Sequence, residues 1–120
     1  MSSSSVRSYR DLDVWQKGMQ VRREVRAILQ SISRQDRFEI GGQVARAALS
    51  IPCNVAEGRQ RTGRKDYAQF LSFSRGSVGE LDTQLRTIAE DYPNLAARIE
   101  AILNLLDEIS RMLYTMIRKV

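Results

Sequence analysis

Apolar residues recur along this chain at alternating four- and three-residue steps, the spacing that lines one flank of a helix packing along a seam. The last segment shows it most clearly, with Leu95, Ile99, Ile102, Leu106, Ile109, Leu113, Met116 and Val120 in register. The segment before it repeats the rule with Tyr67, Leu71, Ser74, Val78, Leu81, Leu85, Ile88 and Tyr92. A first helix is marked by Val14, Gly18, Val21, Val25, Ile28 and Ile32, and a second by Gly41, Val44, Ala48, Ile51 and Val55. No stretch alternates with period two for long enough to make a strand. The pattern predicts an all-α fold of four helices of about 20–28 residues each. Short loops between them require an antiparallel, up-down-up-down four-helix bundle.

Punctuation falls where this division needs it. Asp11 is placed to cap the first helix by accepting from its free amides. Ser33 to Asp36 is a polar break, and Gly58 to Gly63 is a second. Pro93 suits the first turn of a helix and pushes Tyr92 out of helical geometry. Pro52 lies inside the second helix, where it removes a backbone donor and crowds the carbonyl of Ala48, so a kink is expected. Ser50 and Asn54 flank it and can satisfy the freed carbonyls. Counted outward from a turn at Arg61, Ser50 stands level with Ser72, which predicts a small polar network of Ser50, Asn54 and Ser72 around Pro52. The other reading is that these side chains face water.

More apolar residues are present than one seam uses. Leu103, Leu105, Met112 and Ile117 lie off the fourth seam, Phe70 and Phe73 off the third, and Leu12, Trp15, Met19 and Leu29 off the first. Some widen the core face, and the rest predict a second, associating face. Ser72, Gly76 and Gly79 form a small-residue stripe at i, i+4 and i+7. Mid-helix glycines cost about 1 kcal/mol each relative to alanine, so the stripe suggests a close backbone approach. Gly41 and Gly42 can supply the other half inside the bundle, or the contact lies between subunits. Self-association is expected on either reading.

Composition narrows the setting. The chain has 120 residues, 42% of them apolar, enough for one domain with its own core. Residues 1–8 read as a disordered polar tail and residues 9–120 as the bundle. The short serine run after Met1 has no apolar segment behind it and does not resemble a secretion signal. The single cysteine, Cys53, excludes an internal disulfide and suits a reducing, cytoplasmic compartment. No stretch is apolar enough to cross a membrane.

Chemistry is sparse. Histidine is absent, which removes the usual base near neutral pH and the commonest metal ligand. Cys53 has no histidine partner and reads as a packed thiol. Glu80 is placed to form a structural ion pair with Arg46 or Arg75. No phosphate-cradling glycine loop follows a strand. No enzyme, cofactor or metal site is indicated.

Charge carries the one positive signal. Residues 1–65 hold 13 Lys/Arg against 6 Asp/Glu, and residues 66–120 hold 6 against 8, so the net charge of +5 resides in the first half. Residues 58–65, GRQRTGRK, place Arg59, Arg61, Arg64 and Lys65 together where the third helix begins. Arginines beside a helix N-terminus suit phosphate. The same cations also complement the C-terminus of the second helix, and the loop has no interleaved aromatics for base stacking. RNA or DNA contact and a protein partner therefore both stay open.

Residues 43–58, QVARAALSIPCNVAEG, resemble the central motif of the 23S rRNA intervening-sequence protein family. Residues 9–17 (YRDLDVWQK), 70–81 (FLSFSRGSVGEL) and 108–113 (EISRML) agree with it. The resemblance spans nearly the whole chain after Ser8. It implies a bacterial four-helix bundle, often a ring-like homopentamer, with no established enzymatic activity. Some genes of the family lie within 23S rRNA genes. Related bundles are retroelement accessory proteins that associate with a reverse transcriptase and nucleic acid. This sequence departs from the family pattern at Cys53, where serine is usual. It departs again at Ala45, which leaves Arg46 without its customary arginine neighbour, and at Gly63, near where a serine often caps the third helix.

Overall fold

The computed structural model describes residues 7–120. Residues 1–6, assigned above to a tail, lie outside them. Four helices account for most of the described chain: α1 (Asp13–Gln30), α2 (Arg34–Gln60), α3 (Arg64–Asp91) and α4 (Ala96–Lys119). Short 3-10 turns at Tyr9–Asp11 and Pro93–Leu95 precede α1 and α4. No strand occurs among the described residues. Successive helices pack against each other, and α4 closes against α1. The body measures 45 × 25 × 21 Å. No described helix is long and apolar enough to cross a membrane.

The seam residues form the core. Val14, Val21, Val25, Ile28, Val44, Ala48, Ile51, Val55, Leu71, Leu81, Leu85, Ile88, Ile99, Ile102, Leu106, Ile109 and Leu113 are all essentially inaccessible. Burying each Val, Leu or Ile is worth about 1.5–3 kcal/mol. The off-seam residues mostly widen this core. Leu29 and Leu103 are buried, and Leu12, Trp15, Leu105, Met112 and Ile117 pack partly against it. The large apolar side chains left exposed are Phe38 (89%), Leu49 (46%), Phe73 (49%) and Tyr114 (47%). Of the off-seam surplus, Phe73 is the side chain left exposed, while Leu12, Trp15, Met19, Phe70, Leu105, Met112 and Ile117 are half-buried. Phe38 and Leu49 belong to α2, which carries apolar residues on its outer flank as well as its inner one.

The ends of the helices show what holds the connections. Asp11 does not cap α1. Its carboxylate accepts from the amides of Arg7 (2.8 Å) and Ser8 (3.2 Å) in a capping box around the Tyr9–Asp11 turn. Leu12 occupies the N-cap of α1 without a side-chain bond. Those amide bonds hold the Asp11 carboxyl below its ordinary range. At α2, Ser33 Oγ accepts from the Asp36 amide (3.1 Å). Tyr92, the C-cap of α3, reaches across to the same turn. Its hydroxyl accepts from the Ser33 amide (2.9 Å) and donates to the Asp36 carboxylate. Gly63 caps α3 with no side-chain bond.

Pro52 sits within a continuous α2 and points inward. Gly18 makes room for it: a Cβ built on Gly18 would lie 3.2 Å from Pro52 Cδ. One step further round the helix, Cys53 faces solvent, so the packed thiol expected from the sequence is corrected to an exposed one.

Candidate functional site

The basic segment lies where α2 ends and α3 begins. Arg59 occupies the last turn of α2, Arg61 is its C-cap, and Arg64 and Lys65 open α3. All four are exposed. Arg61 is engaged within the chain: its Nε lies 3.2 Å from Glu57 Oε2, and its guanidinium stands 4.9 Å from the Phe70 ring centroid. Arg59, Arg64 and Lys65 form no ion pair among the described residues. Complementing the α2 dipole accounts for Arg59 and Arg61. It does not account for Arg64 and Lys65, which stand at the positive end of α3, where a cation is disfavoured by about 0.3–1 kcal/mol. Asp66 beside them is the acidic residue of that first turn.

The structure adds what the sequence of the loop lacks. Phe70, one turn into α3, packs edge-to-face on Phe73 with centroids 5.5 Å apart, and Arg61 covers Phe70. An aromatic pair, half-exposed at Phe73, therefore borders the cations. The signal was present as two off-seam phenylalanines, but only folding places them beside the loop. Gly58 fixes the arrangement. A Cβ there would fall 2.8 Å from Phe70 Cβ and 3.1 Å from Tyr67 Cδ1, so glycine is what allows α2 to end against α3.

Other candidates are brought elsewhere or dispersed. Arg46 lies on α2 about 20 Å from Arg59 at 1.5 Å per residue, away from the basic end. Arg46 and Glu80 line one shallow groove of about 380 Å³ with Gln43, Ala47 and Ser50, yet form no ion pair. Arg75 is turned to the opposite flank of α3, where its Nε donates to Ser110 Oγ (3.2 Å) and its guanidinium stands 5.0 Å from the Tyr114 ring centroid. The expected ion pair of Glu80 with Arg46 or Arg75 is thus corrected: Arg75 is turned by helical rotation to Ser110 and Tyr114, and Arg46 shares a groove with Glu80 without pairing with it.

The polar network around Pro52 exists with different members. The Ser50 and Ser77 hydroxyls hydrogen-bond with each other, and Ser50 Oγ also reaches the Ala47 carbonyl (2.9 Å). Asn54 Nδ2 donates to the Ser50 carbonyl (2.8 Å), and buried Ser74 donates to the Ile51 carbonyl (2.8 Å). Ser72 is not part of it and is exposed. The middle of the α2–α3 connection lies later than Arg61, from which the level of Ser72 was counted, so Ser77 comes opposite Ser50.

Ser72, Gly76 and Gly79 line a groove of about 500 Å³ between α3 and α4, with Asp82, Leu106 and Ser110 among its walls. A Cβ on Gly76 or Gly79 would meet nothing within 4 Å. Gly41 is not their partner, since its Cβ would meet only Arg37 of its own helix. The contact inside the bundle is therefore corrected: among the described residues, no helix packs closely on Gly76 or Gly79. Phe73 stands with Phe70, away from that groove's lining. Among the described residues, no group of three or more His, Cys, Asp or Glu side chains is placed to hold a metal ion.

Four long helices around one aliphatic core, with a cationic end and an open small-residue groove, define an all-helical bundle protein. A family model described as 23S rRNA-intervening sequence protein matches residues 10–115. The chain belongs to that family. No curated protein matches it.

Proposed function

We propose that this is a non-enzymatic, cytoplasmic bundle that self-assembles and binds nucleic-acid phosphates through the α2–α3 end. The observation that carries the reading is the set Arg59, Arg64 and Lys65, exposed and without ion-pair partners among the described residues, at the end of the bundle where Arg61 covers the Phe70 ring. Phosphate contact by such cations is sequence-indifferent and falls steeply with salt, and an adjacent aromatic face adds stacking for unpaired bases. An antiparallel, up-down-up-down course supports the geometry. Ser50 meets Ser77 while Asp36, earlier in α2, meets Tyr92, later in α3.

Assembly into a homo-oligomeric ring, a pentamer by family resemblance, would repeat the cationic end around an axis. Weak contacts then add through multivalency. The open Ser72–Gly76–Gly79 groove favours a second reading, a self-assembling scaffold whose partner is another protein.

The test is a salt-titrated binding assay with single-stranded RNA, alongside light scattering for subunit number. Arg59→Glu, Arg64→Glu and Lys65→Glu together should abolish binding with the oligomer intact. Arg61 is kept because it holds Glu57 and Phe70. Binding that survives the triple reversal would remove the α2–α3 end from the function. A stable oligomer without RNA affinity at physiological salt would leave the scaffold reading.

A further inference from the structure

Tyr114 follows the buried seam residue Leu113 on α4 and is itself left nearly half exposed (47%). Guanidiniums from two helices converge on its ring. Arg75 of α3 stands 5.0 Å from the ring centroid, and Arg118, one turn further along α4, stands 5.7 Å from it. Arg118 Nη1 also donates to the Tyr114 hydroxyl (3.4 Å), while Arg75 Nε donates to Ser110 Oγ (3.2 Å). Neither guanidinium forms an ion pair among the described residues. The carboxylates of the adjoining α3–α4 groove are already engaged, Asp107 by Arg111 and Asp82 by Arg86 (2.7 Å). A recess of about 300 Å³ opens beside the ring, lined by Arg75, Arg111, Tyr114 and Thr115. Cations in a last turn complement the helix dipole, which accounts for Arg118. It does not account for Arg75, in the middle of α3.

Contacts across the bundle put this cluster toward the basic end. Arg98, early in α4, donates to Ser31 at the far end of α1 (3.3 Å), and Lys17, early in α1, pairs with Glu108 (3.3 Å). The last turns of α4 therefore lie at the end where α2 passes into α3. Arg75 is about 16 Å along α3 from Arg64 at 1.5 Å per residue.

Resting on the nucleic-acid reading above, we propose that Tyr114 is a stacking platform for one unpaired base, with Arg75 and Arg118 on the phosphates beside it, so that the strand taken is single-stranded. The recess offers a ring, guanidinium planes and a threonine, and no aliphatic side chain lines it. Such a surface fits a flat π-system flanked by negative charge, since bases stack on both aromatic rings and guanidinium planes. It gives the apolar anchors of a partner helix no groove to fill. A duplex keeps its base faces inside its own stack and gains only the phosphate contacts.

The probes are a fluorescein-labelled single-stranded RNA of about 12 nucleotides, within ordinary single-strand site sizes, an abasic strand of the same length, and the corresponding duplex. Anisotropy is read with the full chain, with Tyr114→Phe and with Tyr114→Ala, and circular dichroism confirms that the variants stay helical. Tyr114→Ala should weaken the single strand about fivefold or more, the lower end of a base–aromatic stack, and leave the abasic strand and the duplex as they were. Tyr114→Phe keeps the ring and should bind like the parent. Neither change removes a charge, so the salt slope should hold. Arg75→Gln with Arg118→Gln should instead lower that slope by about 1.4, at about 0.7 for each single-strand phosphate contact. Single-strand binding unchanged in Tyr114→Ala, or weakened equally for the abasic strand, would overturn the stacking site and leave the α2–α3 end standing. A parent chain that binds none of the three probes would sink the phosphate reading and this site with it. Dissociation of an oligomer by Tyr114→Ala in light scattering would overturn the proposal too, by assigning the ring to a contact between copies.

Discussion

Alanine in place of glycine should have opposite signs at two places in this bundle. At Gly58 the new Cβ would stand 2.8 Å from Phe70 Cβ and 3.1 Å from Tyr67 Cδ1. Phe70 Cβ is anchored to its own backbone and cannot swing aside, so α2 and α3 must part. Overpacking of this kind costs about 1–3 kcal/mol. The helix-propensity gain of alanine is at most about 1 kcal/mol and smaller in the last turn of α2. The net is a loss of about 1–2 kcal/mol. At Gly76 and Gly79 the new methyl meets nothing within 4 Å, so only the propensity gain of about 0.5–1 kcal/mol per site remains. With a urea m-value of about 2 kcal/mol/M, Gly58→Ala should lower the unfolding midpoint by about 0.5–1 M. Gly76→Ala should raise it by about 0.3–0.5 M on the same slope. Unfolding is followed by circular dichroism at two protein concentrations, which separates chain stability from assembly. A Gly58→Ala protein as stable as the parent, or a concentration-independent loss at Gly76→Ala, would refute the assignment of which glycine is used for close packing.

Two further outcomes follow from the helix ends. Tyr92→Phe removes the hydroxyl that joins the Ser33 amide and the Asp36 carboxylate, and should cost about 1–2 kcal/mol in the same urea assay, since one of its two bonds is charge-assisted. A loss below a few tenths would mean that the bridge does not hold the α1–α2 turn. The Asp11 carboxyl is held below its ordinary range by the Arg7 and Ser8 amides, so its contribution is complete above that range and disappears as pH falls through its lowered value. Trp15 lies edge-on to Tyr9, 5.6 Å between centroids, and its fluorescence should change across that acid window. Asp11→Ala should show the changed emission already at neutral pH; an identical acid transition in that variant would contradict the role of the carboxylate.

The seam residues were readable because helical periodicity is a local property. Any chain segment with apolar residues at alternating four- and three-residue steps must hide that stripe, whatever surrounds it. Hence Leu95 through Leu113 and Leu71 through Ile88 are buried as their spacing requires. The family was legible for a related reason, since a contiguous motif such as residues 43–58 survives in the linear order. The basic segment was visible as four cations in a row of eight residues.

Partnerships between helices were not readable in this way. Ser50 meets Ser77 and not Ser72, because a shift of register along a neighbouring helix is set by where the connection turns. Arg75 leaves Glu80 for Ser110 and Tyr114, because each residue rotates about 100° around the helix axis. The glycines that matter for close approach are Gly18 and Gly58, although the regular stripe in the sequence was Gly76 and Gly79. Phe38 and Leu49 fall outside the seams, and their exposure depends on which flank of α2 the other helices leave uncovered. Local spacing settles which side of a helix is hidden. Rotation and register between helices settle which residue touches which, and these come from packing side chains far apart in the chain.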